Sequence, residues 1–177
     1  LADTYAYDLT TAPSYYNFGD YTYSNFDGNN KYVYYQEGIY VGYRYYETAA
    51  ADGYIDYDTT VQFPFGYGLS YTNFDWEVEK TELGDIGGTI NIDVKVTNTG
   101  DVAGKDVVEL YYAAPYDPAE EIEKSSVVLG AFEKTNTLKP GESETVTLTM
   151  NVDDMASYDY KNNKCYVLSA GDYEFRL

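Results

Sequence analysis

Ile90, Ile92, Val94 and Val96 alternate with Asn91, Asp93, Lys95 and Thr97. That two-residue period gives an extended strand one apolar and one wet face, and no helix satisfies it. Val146, Leu148 and Met150 repeat the pattern against Thr145, Thr147 and Thr149. Asp106 to Ala113, Ser126 to Phe132, Lys164 to Ser169 and Asp172 to Leu177 read as further strands, with Phe74 to Leu83 as the first. About seven strands in about 100 residues is the count of an immunoglobulin-like sandwich.

Turn chemistry marks the breaks. Pro140-Gly141 suits a type II turn, because proline fixes φ at the first central position and glycine accepts a positive φ at the second. Asn98 to Asp101 closes one strand, and Ala170-Gly171-Asp172 is expected to join the last two as a tight hairpin. Only Ala119 to Lys124 is helix-friendly, and it is too short to stand alone. The single cysteine, Cys165, lies in the apolar stretch CYVL and is expected to be a buried core thiol. With one cysteine there is no inter-sheet disulfide, so the sandwich must be of the fibronectin type III-like kind, held by packing of its inner faces. Before Asn73 the chain is rich in glycine, asparagine and tyrosine with little helical periodicity, as in Tyr15 to Asn30. The expectation is an all-β fold: residues 1–73 a Tyr-rich, largely irregular connector, residues 74–177 the sandwich.

The net charge of −19 repels phosphate backbones and anionic lipid, so neither nucleic acid nor a membrane is an expected partner, whereas neutral β-linked glycans are compatible with it. No histidine is present. The commonest general base and zinc ligand are therefore missing, and no cofactor is expected. Asp52, Asp56 and Asp58 form an acidic cluster of the kind that holds Ca²⁺, but without the glycine placement and terminal glutamate of an EF-hand; a solvated acidic loop is the preferred reading. Tyrosine, at 24 residues, is the dominant aromatic. Tyr15, Tyr16, Tyr21, Tyr23 and Tyr32 lie in loop-like sequence, either as a stacking platform for sugar or as rings covering a domain interface, the second being favoured. The composition, poor in lysine and rich in Tyr, Asn, Thr and Asp, suits a secreted or cell-surface bacterial protein.

Two stretches, EGIYVGYRYYE (Glu37 to Glu47) and FPFGYGLSYTNF (Phe63 to Phe74), resemble in order and separation a segment near the C-terminal end of family-3 glycoside hydrolases of the β-glucosidase and β-xylosidase type. Asn98 to Tyr112, Leu129 to Met150 and Asp153 to Asp159 are similar to that family's fibronectin-like module. The resemblance implies a parent enzyme that removes terminal β-linked glucose or a related sugar by a retaining mechanism. Such chemistry needs two carboxyl groups about 5 to 5.5 Å apart. In the family these are an aspartate on a barrel domain and a glutamate on an α/β domain, and a barrel of roughly 250 residues does not fit here. No catalytic residue is therefore expected. Asp75-Trp76 superficially matches the nucleophile motif but falls where the sandwich begins, as a wet-face strand residue; Glu37 is expected to pair with a cation such as Arg44. Tyr43, Arg44, Tyr45, Phe63, Phe65 and Tyr71 are the expected contacts with the catalytic barrel and α/β domains. The rival readings are a stand-alone carbohydrate-binding module and a structural spacer of a surface protein. Leu1 in place of an initiator methionine, and Leu177 inside the last strand, suggest trimming at both ends.

Overall fold

The computed structural model describes residues 1–15 and 35–177, which fall into two compact units, Leu1–Tyr67 and Gly68–Leu177.

In the second unit the alternating segments become strands. β3 (Phe74–Glu82), β4 (Thr89–Asn98) and β7 (Ser143–Asn151) form one antiparallel sheet in the order β3-β4-β7. β5 (Val107–Ala113), β6 (Val128–Lys134) and β10 (Glu174–Arg176) form the other, in the order β10-β5-β6. Ile90, Ile92, Val94 and Val96 of β4 and Val146, Leu148 and Met150 of β7 are all buried, and meet Val108, Leu110 and Tyr112 of β5 in one core. Register makes this possible: Ile92 stands opposite Leu148 and Val94 opposite Val146, so the apolar sets share a face. This is an all-β, fibronectin type III-like sandwich. The type II turn forms as expected, with Gly141 at φ 78° and the Glu142 amide donating to the Lys139 carbonyl at 2.9 Å.

Three expectations are corrected. The last two strands do not pair with each other: β9 (Cys165–Val167) pairs with β8 (Ser157–Asp159), a strand not anticipated, while β10 crosses to pair with β5. Gly171, at φ 145°, lies where a Cβ would come within 2.8 Å of the Pro115 side chain, so this glycine passes a neighbouring loop instead of making a hairpin. Cys165 is exposed, because β9 belongs to a two-stranded ribbon with one side open to solvent. On β3, Trp76 and Val78 are 42% and 52% exposed although they stand opposite Val96 and Val94. β3 is an edge strand, and the second sheet meets the first at β7, on the far side. The Trp76 indole N–H finds its partner at the rim, donating to Asp106 Oδ2 at 2.8 Å.

The first unit is smaller and mixed. β1 (Tyr5–Ala6) pairs with β2 (Val61–Phe63), and two helices, α1 (Tyr43–Ala51) and α2 (Tyr57–Thr60), lie between them in sequence. α1 was not anticipated. It buries Tyr46 and Ala49, three residues apart and so on one face. Val61 is the remaining buried apolar residue of this unit among those described.

Candidate functional site

The expected site residues gather mainly in the first unit. α1 carries Tyr43, Arg44 and Tyr45, all half-buried. The Tyr43 ring lies 4.9 Å from Phe65, and Phe63 lies 4.9 Å from Tyr67, so the aromatic residues around β2 form two tilted pairs. Tyr71 belongs to the second unit and is 98% exposed, with Leu69 beside it at 90%. Tyr15 is exposed; Tyr16, Tyr21, Tyr23 and Tyr32 lie outside the described residues.

Asp52, Asp56 and Asp58 are placed on three different tasks. Asp52 is the C-terminal cap of α1, Asp56 caps the N-terminus of α2 by accepting from the Thr59 amide at 3.2 Å, and Asp58 lies in the first turn of α2, where a negative charge suits the helix dipole. Among the described residues no group of three or more acidic or cysteine side chains is arranged to hold a metal ion. Asp75 stands exposed on β3, opposite Thr97.

Glu37 does not pair with Arg44. The Arg44 Nε points instead to the Tyr43 hydroxyl, at 3.5 Å. Glu37 Oε2 is buried without a hydrogen-bond partner, and Glu37 lines a cavity of about 360 Å³ together with Tyr40, Tyr45, Asp52 and Tyr54. Two more orphaned buried oxygens belong to the same unit, Thr4 Oγ1 and the Tyr57 hydroxyl. The Tyr57 hydroxyl is near the Glu47 carboxylate but outside hydrogen-bonding geometry; burial first, and that carboxylate second, push its pKa well above the ordinary phenol range. A buried polar group left unsatisfied costs about 1 to 3 kcal/mol. Three among the described residues of one unit is a considerable burden.

The second unit satisfies its polar groups internally. Asn98, fully buried, donates from Nδ2 to the carbonyls of Val102 and Leu138, each at 2.8 Å, and accepts from Thr72 Oγ1 at 2.6 Å. The Asp159 carboxylate, 1% exposed, accepts from the backbone amides of Lys161, Asn162 and Asn163. Those amides, Asn162 foremost, hold its pKa below the usual carboxylate range. Buried Lys124 spends its ammonium on the Pro115 carbonyl at 2.6 Å, Ser169 Oγ at 2.7 Å and Glu120 Oε2 at 2.9 Å. Across the wet face of β4 and β7, Thr147 donates to Asp93 at 2.6 Å and Thr149 to Asn91 at 2.8 Å, while Thr97 and Ser143 share a bond of 2.8 Å.

The sequence did not reveal the cavity, since Pro13, Glu37 and Tyr54 lie far apart along the chain. The only local signal was a glutamate in an aromatic stretch, and it pointed to the wrong partner.

Against known proteins, a family model for a fibronectin type III-like domain matches residues 106–177. Over its whole length the chain is 39% identical to β-glucosidase A of Butyrivibrio fibrisolvens, of which it covers 21%. A solved β-glucosidase structure from Paenibacillus barengoltzii is similar over 99% of this chain and 18% of its own, with 45% identity and a TM-score of 0.82. The GH3 β-glucosidase of Bifidobacterium adolescentis is similar over 99% of this chain and 23% of its own, with 31% identity and a TM-score of 0.77. The chain thus spans about a fifth of the length of the relatives it matches.

Proposed function

We propose, from the premise that this chain carries the C-terminal, fibronectin type III-like region of a family-3 glycoside hydrolase of the β-glucosidase type, that it packs against the catalytic domains of such an enzyme and fixes their positions. The observation that carries this reading is the uneven distribution of orphaned polar atoms. Thr4 Oγ1, Glu37 Oε2 and the Tyr57 hydroxyl, all in Leu1–Tyr67, are the only such atoms among the described residues. A unit whose described residues show unmet hydrogen bonds, few buried apolar side chains and half-buried aromatic pairs is suited to completion by further polypeptide. In this reading residues 1–73 are the remnant of an α/β domain, and Tyr43, Arg44, Tyr45, Phe63, Phe65 and Tyr71 face the rest of the enzyme.

The parent enzyme hydrolyses terminal β-D-glucosidic or related O-glycosyl bonds with retention, using a carboxyl pair supplied by polypeptide other than this. Two measurements test the proposal. The purified chain is expected to leave aryl β-glucosides and β-xylosides intact, and hydrolysis above background would overturn its non-catalytic role. Mixed with the separately produced catalytic portion of the parent, it is expected to associate in a titration calorimeter; failure to associate would overturn the positioning role.

A further inference from the structure

We infer that the cavity bounded by Glu37, Asp52, Tyr40, Tyr45 and Tyr54 is a socket for an arginine side chain presented by the catalytic polypeptide of the same enzyme; this rests on the domain-packing reading above and names its contact.

The cavity's charge is one-sided. Among the described residues, both of its titratable lining groups besides tyrosine are carboxylates, no lysine or arginine lines it, and Glu37 Oε2 is buried with no donor. An orphaned carboxylate oxygen calls for a donor, and a cationic donor gives the stronger, shorter bond. Tyr45 and Tyr54 in the walls add aromatic surface on which a planar guanidinium stacks, while its fork of N–H groups matches a carboxylate. Lysine offers neither the plane nor the fork. Among the described residues the nearby cation, Arg44, directs its Nε to the Tyr43 hydroxyl. An external donor is available in quantity, because the chain covers only 21% of a relative it matches from end to end. Arginine buried among aromatic residues is also a preferred anchor of protein interfaces.

The test is a titration of this 177-residue chain with N-acetyl-arginine amide, N-acetyl-lysine amide and glucose, followed by NMR of the Tyr45 and Tyr54 ring resonances. The arginine probe is expected to give saturable shifts at millimolar concentration, with Kd raised at least tenfold by Glu37→Gln and about threefold by Asp52→Asn. The lysine probe should bind at least threefold more weakly, and Tyr116→Ala, at an exposed position in the second unit, should change nothing. Circular dichroism of each variant verifies that it folds; Asp52→Asn carries the test should Glu37→Gln not fold. Absence of saturable shifts, an equal response to glucose, or indifference to both carboxylate substitutions would overturn the socket. Failure of the domain-packing reading would show instead as no association between this chain and the catalytic portion, whatever the titration gives.

Discussion

The two units differ most in how they treat buried polar groups. Gly68–Leu177 places Asn98, Asp159 and Lys124 inside and gives each two or more partners. Among the described residues of Leu1–Tyr67, three buried oxygens have none. Their apolar content separates them in the same direction: Tyr46, Ala49 and Val61 are the buried apolar residues described in the first unit, whereas the second closes a continuous core over both sheets. A domain that satisfies itself folds by its own account, and one that does not is shaped for company. Fold resemblance alone would not have made this distinction.

The comparison can be tested from its strongest element down. Leu110→Ala, at a fully buried position, is expected to cost the second unit about 3 kcal/mol, read as a lowered denaturation midpoint. No first-unit substitution to alanine should match it. Asn98→Leu leaves the Val102 carbonyl without this donor and the Thr72 hydroxyl without its acceptor, removes one of two donors to the Leu138 carbonyl, and is expected to cost about 2 kcal/mol by the same measurement.

Acid provides a third test. The folded pKa of Asp159 is depressed, so its contribution is fully present above the unfolded value of about 3.9 and is lost as pH falls through the folded value. Glu120, held low chiefly by the Ser169 hydroxyl and then by Lys124, acts in the same sense. The second unit should therefore lose stability below about pH 4, and Asp159→Asn should flatten that slope in urea titrations across pH 2 to 6, values set by the carboxylate range.

Fourth, Thr4→Val removes an orphaned hydroxyl and is expected to leave the first unit as stable or stabilise it by up to about 1 kcal/mol. Thr147→Val, the same change on a satisfied hydroxyl at the surface, should cost about 0.5 kcal/mol. If both changes shifted thermal midpoints in the same direction, the contrast between the units would fail.

The sandwich was legible because its signal is periodic. Alternation fixes which face of β4 and β7 is buried, and the Pro140-Gly141 turn fixes a connection, all from neighbours in sequence. What escaped was decided over long distances. The pairing of β10 with β5, and the exposure of Trp76 and Cys165, depend on which strand occupies which edge, and an apolar residue carries no mark of that. α1 was missed because Tyr43, Tyr45 and Tyr46 sit on several sides of the helix and blur its apolar stripe. Of the tyrosines lining the cavity the sequence singled out Tyr45 but neither Tyr40 nor Tyr54, and the shape of the site was illegible. Glu37 could be singled out, but its burial beside Tyr40, Tyr45 and Tyr54 arises from three separate turns of chain.

The threonine ladder across β4 and β7 ties the wet face of the sandwich to itself. Hydroxyls already engaged with Asn91, Asp93 and Ser143 have little left to trade with another protein. We propose that a dye or affinity tag mounted on this face would report on the docking proposed above without obstructing it.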